Sequence, residues 1–305
     1  TGDAFFGERD GDLSLEKCHK GGFAGGFFAV WVGGDPGTRP DPMAVFREFP
    51  AIDAARAQQQ TMAQIAILLR MTRARPDAIR LCRSIAEIEV ARAAGAIAAI
   101  LHIEGCEGIA ADLDALHIYH AAGLRSLGPV WSRPNIFGHG VPFNFPASPD
   151  TGPGLTDAGK RLVRESEALG VLVDLSHLNE AGFWDVAKIS TKPLVATHSN
   201  AHAVTASTRN LTDKQLTAIA ESGGVVGVNF GCQFLRLDGL KNPDTGAEDL
   251  LRHLDHLLKH LGEDGVALGS DFDGAMMPNF IADAAGLPNL LAAIKATYGA
   301  ELTRK

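Results

Sequence analysis

The chain has 305 residues, 46% of them hydrophobic and 21% charged, which suits one large α/β domain of an ordinary globular kind. Its formal net charge of -8, without any cluster of Lys and Arg, argues against a nucleic-acid partner. No apolar run reaches the roughly 18–20 residues that span a membrane. No signal peptide is visible after Thr1, and the four scattered cysteines (Cys18, Cys82, Cys106 and Cys232) favour reduced thiols and a cytoplasmic location.

In chain order, short apolar runs alternate with helical patterns. GGFFAVWV, around residues 27–32, is the first run, and an Ala-, Gln-, Met- and Leu-rich helix is expected over 52–73. A helix at 85–94, the run AIAAILHI at 96–103, a helix at 113–122 and the run LRSLGPV at 124–130 come next. The segment 131–153, WSRPNIFGHGVPFNFPASPDTGP, reads as a long Pro/Gly-rich loop, the kind that often serves as a lid. Thr156 and Asp157 cap a further helix, which Gly170 stops. The runs VLVDL (171–175), PLVAT (193–197), VVGVNF (225–230) and GVALG (265–269) then alternate with helices at 178–188, 212–222 and 247–261.

Runs of this length, apolar on both faces, are the mark of strands buried in a parallel sheet under helices. Seven are countable, and a (β/α)8 barrel needs eight. An open doubly wound sheet normally declares a Gly-rich phosphate loop, and none is present in the right context. The expected fold is therefore α/β, a (β/α)8 TIM-like barrel with one strand missing or unrecognised. Residues 1–305 read as a single domain.

Polar residues recur where these runs end: Glu104, Ser176 with His177, His198, and Asp271 with Asp273. Barrel enzymes carry their catalytic groups at the C-terminal ends of the strands. Two imidazoles and a carboxylate suit a zinc ion with one position open for water, whose pKa such an ion lowers to about 7. Glu104, His177 and His198 are the expected metal ligands, with Asp271 as general base and acid. His202 reads as structural, His102 is left open, and His253, His256 and His260 read as an exposed helix surface. His139, in the lid-like loop, is a candidate substrate contact.

HIEGCEG, VDLSH, ATHSNAHAVTASTRN and GSDFDG, with GGFAGGFFAVWV before them, resemble the signatures of the membrane (renal) dipeptidase family of zinc metallopeptidases. The likeness runs through the whole chain in the right order and is closer to bacterial members than to the anchored mammalian enzyme. It implies a (β/α)8 barrel, a two-zinc site and hydrolysis of dipeptides, including those with a C-terminal D-residue. Glu104 corresponds to the bridging carboxylate, and His177 and His198 to the ligands of the second metal. Arg209 corresponds to the arginine that holds the dipeptide carboxylate, a task that suits its paired N–H donors. Asp271 corresponds to the proton-shuttling aspartate.

Two departures qualify this. The family's first strand ends in a His-x-Asp pair that completes the first zinc, and here no HxD follows an apolar run, the His253-Leu254-Asp255 triplet lying within the helical pattern RHLDHLLKH. The resemblance thus implies a chain shortened at both ends, or a native variant that keeps full ligands for one zinc. Asp10 and Asp12 are not read as ligands. Trp131 stands where many members have a His, so Trp131, Arg133, Asn135 and His139 become candidate substrate contacts. The expected partner is a small dipeptide, and a homodimer is allowed. The alternatives are hydrolysis of another small amide or a lactone, or a metal-deficient relative acting as a binding protein.

Overall fold

The structure is a computed structural model that describes residues 2–7, 10–34 and 46–304. Its framework is an alternation of parallel strands and helices. The strands are β1 (Gly25–Trp31), β2 (Ile79–Leu81), β3 (Ile97–Glu104), β4 (Leu124–Gly128), β5 (Leu172–Val173), β6 (Val195–Ala196), β7 (Val225–Val228) and β8 (Val266–Leu268). The helices are α1 (Leu15–Gly21), α2 (Ala54–Ala74), α3 (Ile85–Ala93), α4 (Asp114–Ala122), α5 (Asp157–Ala168), α6 (Glu180–Ile189), α7 (Asp213–Glu221), α8 (Ala247–Leu261) and α9 (Leu287–Arg304).

One sheet runs β1-β3-β4-β5 and a second β6-β7-β8, all parallel. The bridge from Asp174 to Val195 joins β5 to β6, so seven strands form one continuous arc. β2 pairs with the N-terminal half of β3, on the edge that β4 takes over further up. The fold is thus α/β with a parallel sheet. Among the described residues no strand pairs β8 with β1, and the arc is not a closed ring.

The count of seven strands needs one correction. Ile79–Leu81 is an additional parallel strand, hidden in the sequence because Arg80 interrupts its apolar character over only three residues. It does not fill the gap between β8 and β1. Segment 131–153 also carries more order than a loop. Pro134–Asn135 pairs with Gly138–His139, and Phe143–Asn144 pairs with Phe46–Arg47.

Local chemistry explains the helix limits. Thr156 accepts from the Gly159 N–H at the start of α5, and Gly170 follows that helix at φ 71. Thr212 and Gln215 form a reciprocal capping box on α7. β3 carries IAAILHIE, nearly all buried, and belongs to a hydrophobic cluster that spans the arc from Val30 to Val228 and reaches α9 at Ile294. The four cysteines are all buried and unbonded to one another.

Candidate metal centre

The C-terminal ends of β3, β5, β6 and β8 deliver the four ionisable groups to one rim. Register places Glu104 level with Trp31 of β1 and Gly128 of β4. The chain then turns at Gly105, whose φ of 90 is left-handed and where a Cβ would crowd Glu107 and the Trp131 backbone. His177 at φ 70 and Asp271 at φ 61 also adopt left-handed backbone, uncommon for residues with side chains. Such conformations cluster at functional sites held by their surroundings.

His177 Nε2 lies 2.8 Å and His198 Nε2 3.2 Å from Glu104 Oε1, and the two Nε2 atoms are 3.0 Å apart. The three ligand atoms fall within 4.8 Å of one another. The opposite ring nitrogens are held elsewhere. His177 Nδ1 is 2.7 Å from Ser132 Oγ, and His198 Nδ1 is 2.8 Å from Thr197 Oγ1. Partners on the far nitrogen orient an imidazole for a metal on the near one.

Asp174, one residue beyond β5, organises both histidine-bearing loops. Its carboxylate accepts from the Ser176 N–H at 3.0 Å, the Thr197 N–H at 2.8 Å and the Thr197 hydroxyl at 2.5 Å. Ser176 Oγ in turn accepts from the His198 N–H at 3.1 Å. Gly269 follows β8 closely enough that a Cβ there would collide with the Thr197 carbonyl.

The electrostatics are those of a buried, charged site. Burial alone would raise the Glu104 carboxyl, but hydrogen bonds and charge from His177 and His198 hold it well below the usual carboxylate range. Burial, aided by the Arg209 guanidinium, brings His177 down to about 3. Burial also works against the charged form of His198, yet its hydrogen bond to Glu104 and the charge of Asp271 leave it raised. Asp271 is raised by burial and by Glu104, and its Oδ2 accepts from Asn229 Nδ2 at 2.9 Å.

A cavity of about 870 Å³ opens on this cluster. Glu104, Trp131, His177, His198 and Asp271 line it, and His102, left open by the sequence, lines it too. Trp131 packs edge-on to Phe49 and Phe143 at centroid distances of 4.6 and 5.6 Å, an aromatic wall beside His177. Arg133 also borders the cavity, but its guanidinium bonds Glu107 at 2.7 Å and the Val32 carbonyl at 2.5 Å. Arg209 approaches the imidazoles from the side, donating to the His198 carbonyl at 3.1 Å and lying 3.2 Å from His177 Nε2. Its Nε is buried with no hydrogen-bond partner among the described residues.

Arg209, Asn135 and His139 are not among the residues that line the cavity, Arg209 lying buried beside the imidazoles. The Asn135 amide donates to the Pro129 carbonyl and accepts from the Phe137 N–H, so it braces its own hairpin. His202 bonds the Ala147 carbonyl at 2.9 Å, the structural part expected of it. Sequence reasoning passed over Ser132, Asp174 and Asn229. Asn229 and Asp174 follow β7 and β5 directly, so the strand-end rule that found the other groups applies to them as well. Lys241 lines the cavity too, brought down to about 8 by burial and the nearby Arg47.

Comparison with known proteins fits this geometry. A family model described as membrane dipeptidase, peptidase family M19, matches residues 4–304. A metallo peptidase from Rhodobacter sphaeroides, liganded with a phosphinate mimic of the dipeptide L-Ala-D-Ala, is 53% identical with a TM-score of 0.94, covering 99% of this chain and 89% of that one. The crystal structure of dipeptidase AC, a metallo peptidase of the same family, is 54% identical with a TM-score of 0.94, over 99% of this chain and 88% of that one. A protein from the pqqA 5′ region of Klebsiella pneumoniae is 51% identical over 234 residues, 77% of this chain and 86% of its own length. The chain belongs to the membrane dipeptidase family of metallopeptidases.

Proposed function

We propose that this chain hydrolyses the single peptide bond of dipeptides, using a zinc ion held by Glu104, His177 and His198. The observation that carries the reading is the convergence of these three donors, from three different strand ends, within 4.8 Å of one another. The donor set fits zinc: two imidazoles present Nε2 inward while Ser132 and Thr197 occupy their Nδ1 atoms, and a carboxylate completes the set. When bound, such an ion supplies Lewis acidity, polarising a carbonyl and acidifying a water.

The chain's own residues do the remainder. Asp271, buried and raised in pKa, is placed to take a proton and return it to the departing amine. Asn229 holds that carboxylate in position. Arg209, at the edge of the imidazole pair, receives the substrate's terminal carboxylate through two parallel hydrogen bonds. Trp131, Phe49 and Phe143 wall off water from the reacting face. Asn135 and His139 enter this reading only through the loop they brace. The phosphinate mimic bound by the Rhodobacter relative supports a dipeptide with a C-terminal D-residue as substrate.

The arc of strands is read as a (β/α)8 barrel with the position between β8 and β1 open. The cavity supports this, since Phe27 of β1 and Leu268 of β8 line it together with the metal cluster. Residues 1–305 are read as one domain, working in the cytoplasm as a monomer or homodimer. No described helix is long and apolar enough to cross a membrane.

The test is zinc content and L-Ala-D-Ala turnover of the zinc-replete chain beside Glu104→Gln and His198→Ala. Each variant should lower kcat/KM by more than the roughly 10–100-fold that orienting partners of a metal site contribute. Unchanged turnover would sink the proposal. An inactive parent that retains no zinc would favour the metal-deficient relative.

A further inference from the structure

The hydrolytic site leaves one group of metal-ligating side chains unused. Asp213 opens α7, and His256 and His260 lie four residues apart on α8, hence on one helical face. These two helices pack against each other. His256 Nε2 is 2.7 Å from Asp213 Oδ1, and His260 Nε2 is 3.9 Å from Oδ2, so each ring meets a different carboxylate oxygen. The two rings face one another at a centroid distance of 4.6 Å and an interplanar angle of 30°. Three ligand atoms, one from each residue, lie within 4.8 Å of one another. With side-chain exposures of 19% and 21%, the histidines are framed by protein yet open to solvent.

We propose that Asp213, His256 and His260 form a second, surface site for a divalent transition-metal ion of the zinc class, one that clamps α7 to α8. Imidazole and carboxylate donors suit zinc, nickel and copper better than magnesium or calcium, which take oxygen ligands. A pair of histidines at i and i+4 is the spacing by which a helix offers two imidazoles to one zinc. With zinc–donor bonds of about 2.0–2.1 Å, neighbouring donors in a tetrahedron stand about 3.3 Å apart. That value lies between the 2.7 and 3.9 Å separating the two rings from the Asp213 carboxylate, and all three donors already fall within 4.8 Å of one another. Water completes the coordination. His260 sits in the last turn of α8, where the helix dipole favours positive charge. None of the three residues lines the cavity of the hydrolytic site. The ion therefore acts on stability, binding the folded state alone and raising its Tm.

The experiment titrates the full-length chain with Zn2+ alone, following bound metal by calorimetry and Tm by thermal unfolding. Three proteins are compared: the parent, a His177→Ala/His198→Ala variant and a His256→Ala/His260→Ala variant. The surface site and its zinc-induced rise in Tm should persist when His177 and His198 are replaced. They should vanish when His256 and His260 are replaced, while that variant keeps its dipeptide turnover. Asp213→Asn, a milder change at the same place, should weaken the surface site at least about tenfold. If zinc stoichiometry, affinity and Tm response are the same in the parent and in the His256→Ala/His260→Ala variant, no such site exists. An Asp213→Asn protein that binds as tightly as the parent overturns it equally.

Discussion

Glu104, His177 and His198 come from three separate strand ends, and Asp213, His256 and His260 come from two neighbouring helices. The donor inventory is the same, two imidazoles and one carboxylate. The surroundings are opposite. In the first group the far ring nitrogens are engaged by Ser132 and Thr197, the loops are tied by Asp174, and His177 itself and the neighbouring Asp271 hold left-handed backbone. The second group owes its geometry to helical spacing and one carboxylate on the adjoining helix. Burial works against the charged form of both histidines in the first group, but His177 goes down while the Glu104 hydrogen bond and the Asp271 charge keep His198 up. A metal group becomes a reaction centre when proton carriers and substrate-holding charges converge beside it, and only the first group has Asp271 and Arg209 as neighbours.

The largest effect that sharpens this contrast should come from Asp271. Replacing it by Asn keeps the volume and removes the base, and kcat for dipeptides should fall about 10²–10⁴-fold. Zinc content should stay unchanged, because the ligand trio is intact. A loss of zinc that parallels the loss of rate would make Asp271 a ligand instead of a proton carrier.

Arg209 comes next. Removing one partner of a buried charge pair costs about 2–5 kcal/mol, so Arg209→Met should raise KM for a free dipeptide by at least about 30-fold. Hydrolysis of a neutral lactone or of a C-terminally amidated dipeptide should be indifferent to the change. Equal losses on charged and neutral substrates would mean that Arg209 serves only to hold the His198 carbonyl and to neutralise the site.

Much of this centre was readable from sequence because strand ends are readable. IAAILHI, VLVDL, PLVAT and GVALG are short, mostly apolar runs, and the next ionisable residues after them, Glu104, His177, His198 and Asp271, all reach the same rim. What periodicity could not show was contact between distant residues. Ser132 meets His177 across 45 positions, and Asp174 meets Thr197 across 23, and no local pattern encodes either. Asn135 and His139 were drawn toward substrate by their place in a long loop, yet a small hairpin consumes the Asn135 amide. β2 escaped because Arg80 interrupts it.

His253 marks the sharpest difference between expectation and structure, and it carries the smallest predicted effect. The RHLDHLLKH pattern reads as an exposed row of histidines, but His253 shares the buried face of α8 with Leu250, Leu254 and Leu257. Those positions are three or four residues apart, so the face was present in the sequence and the histidine was assigned to the wrong side of it. The Ala201 N–H donates to Nδ1 at 3.1 Å, which leaves the ring proton on Nε2 facing the Leu235 carbonyl at 3.1 Å. A second proton on Nδ1 would set two donors against each other. Burial accordingly drives this imidazole down to about 3, whereas an unfolded histidine titrates near 6.5. Between those values the unfolded chain binds the extra proton, so the stability His253 confers is complete above about pH 6.5 and drains away as pH falls toward 3. One proton gives a slope of at most about 1.4 kcal/mol per pH unit. Denaturant unfolding from pH 8 to pH 4.5 should therefore show His253→Gln less stable than the parent at pH 8, by about 1–3 kcal/mol for the disturbed buried hydrogen bonds. The gap should narrow steadily below pH 6.5, and because His177 and the carboxylates are common to both proteins, their titration cancels in the difference. A gap that stays constant across that range would mean His253 accepts its second proton without cost, and that the Ala201 bond does not fix its tautomer.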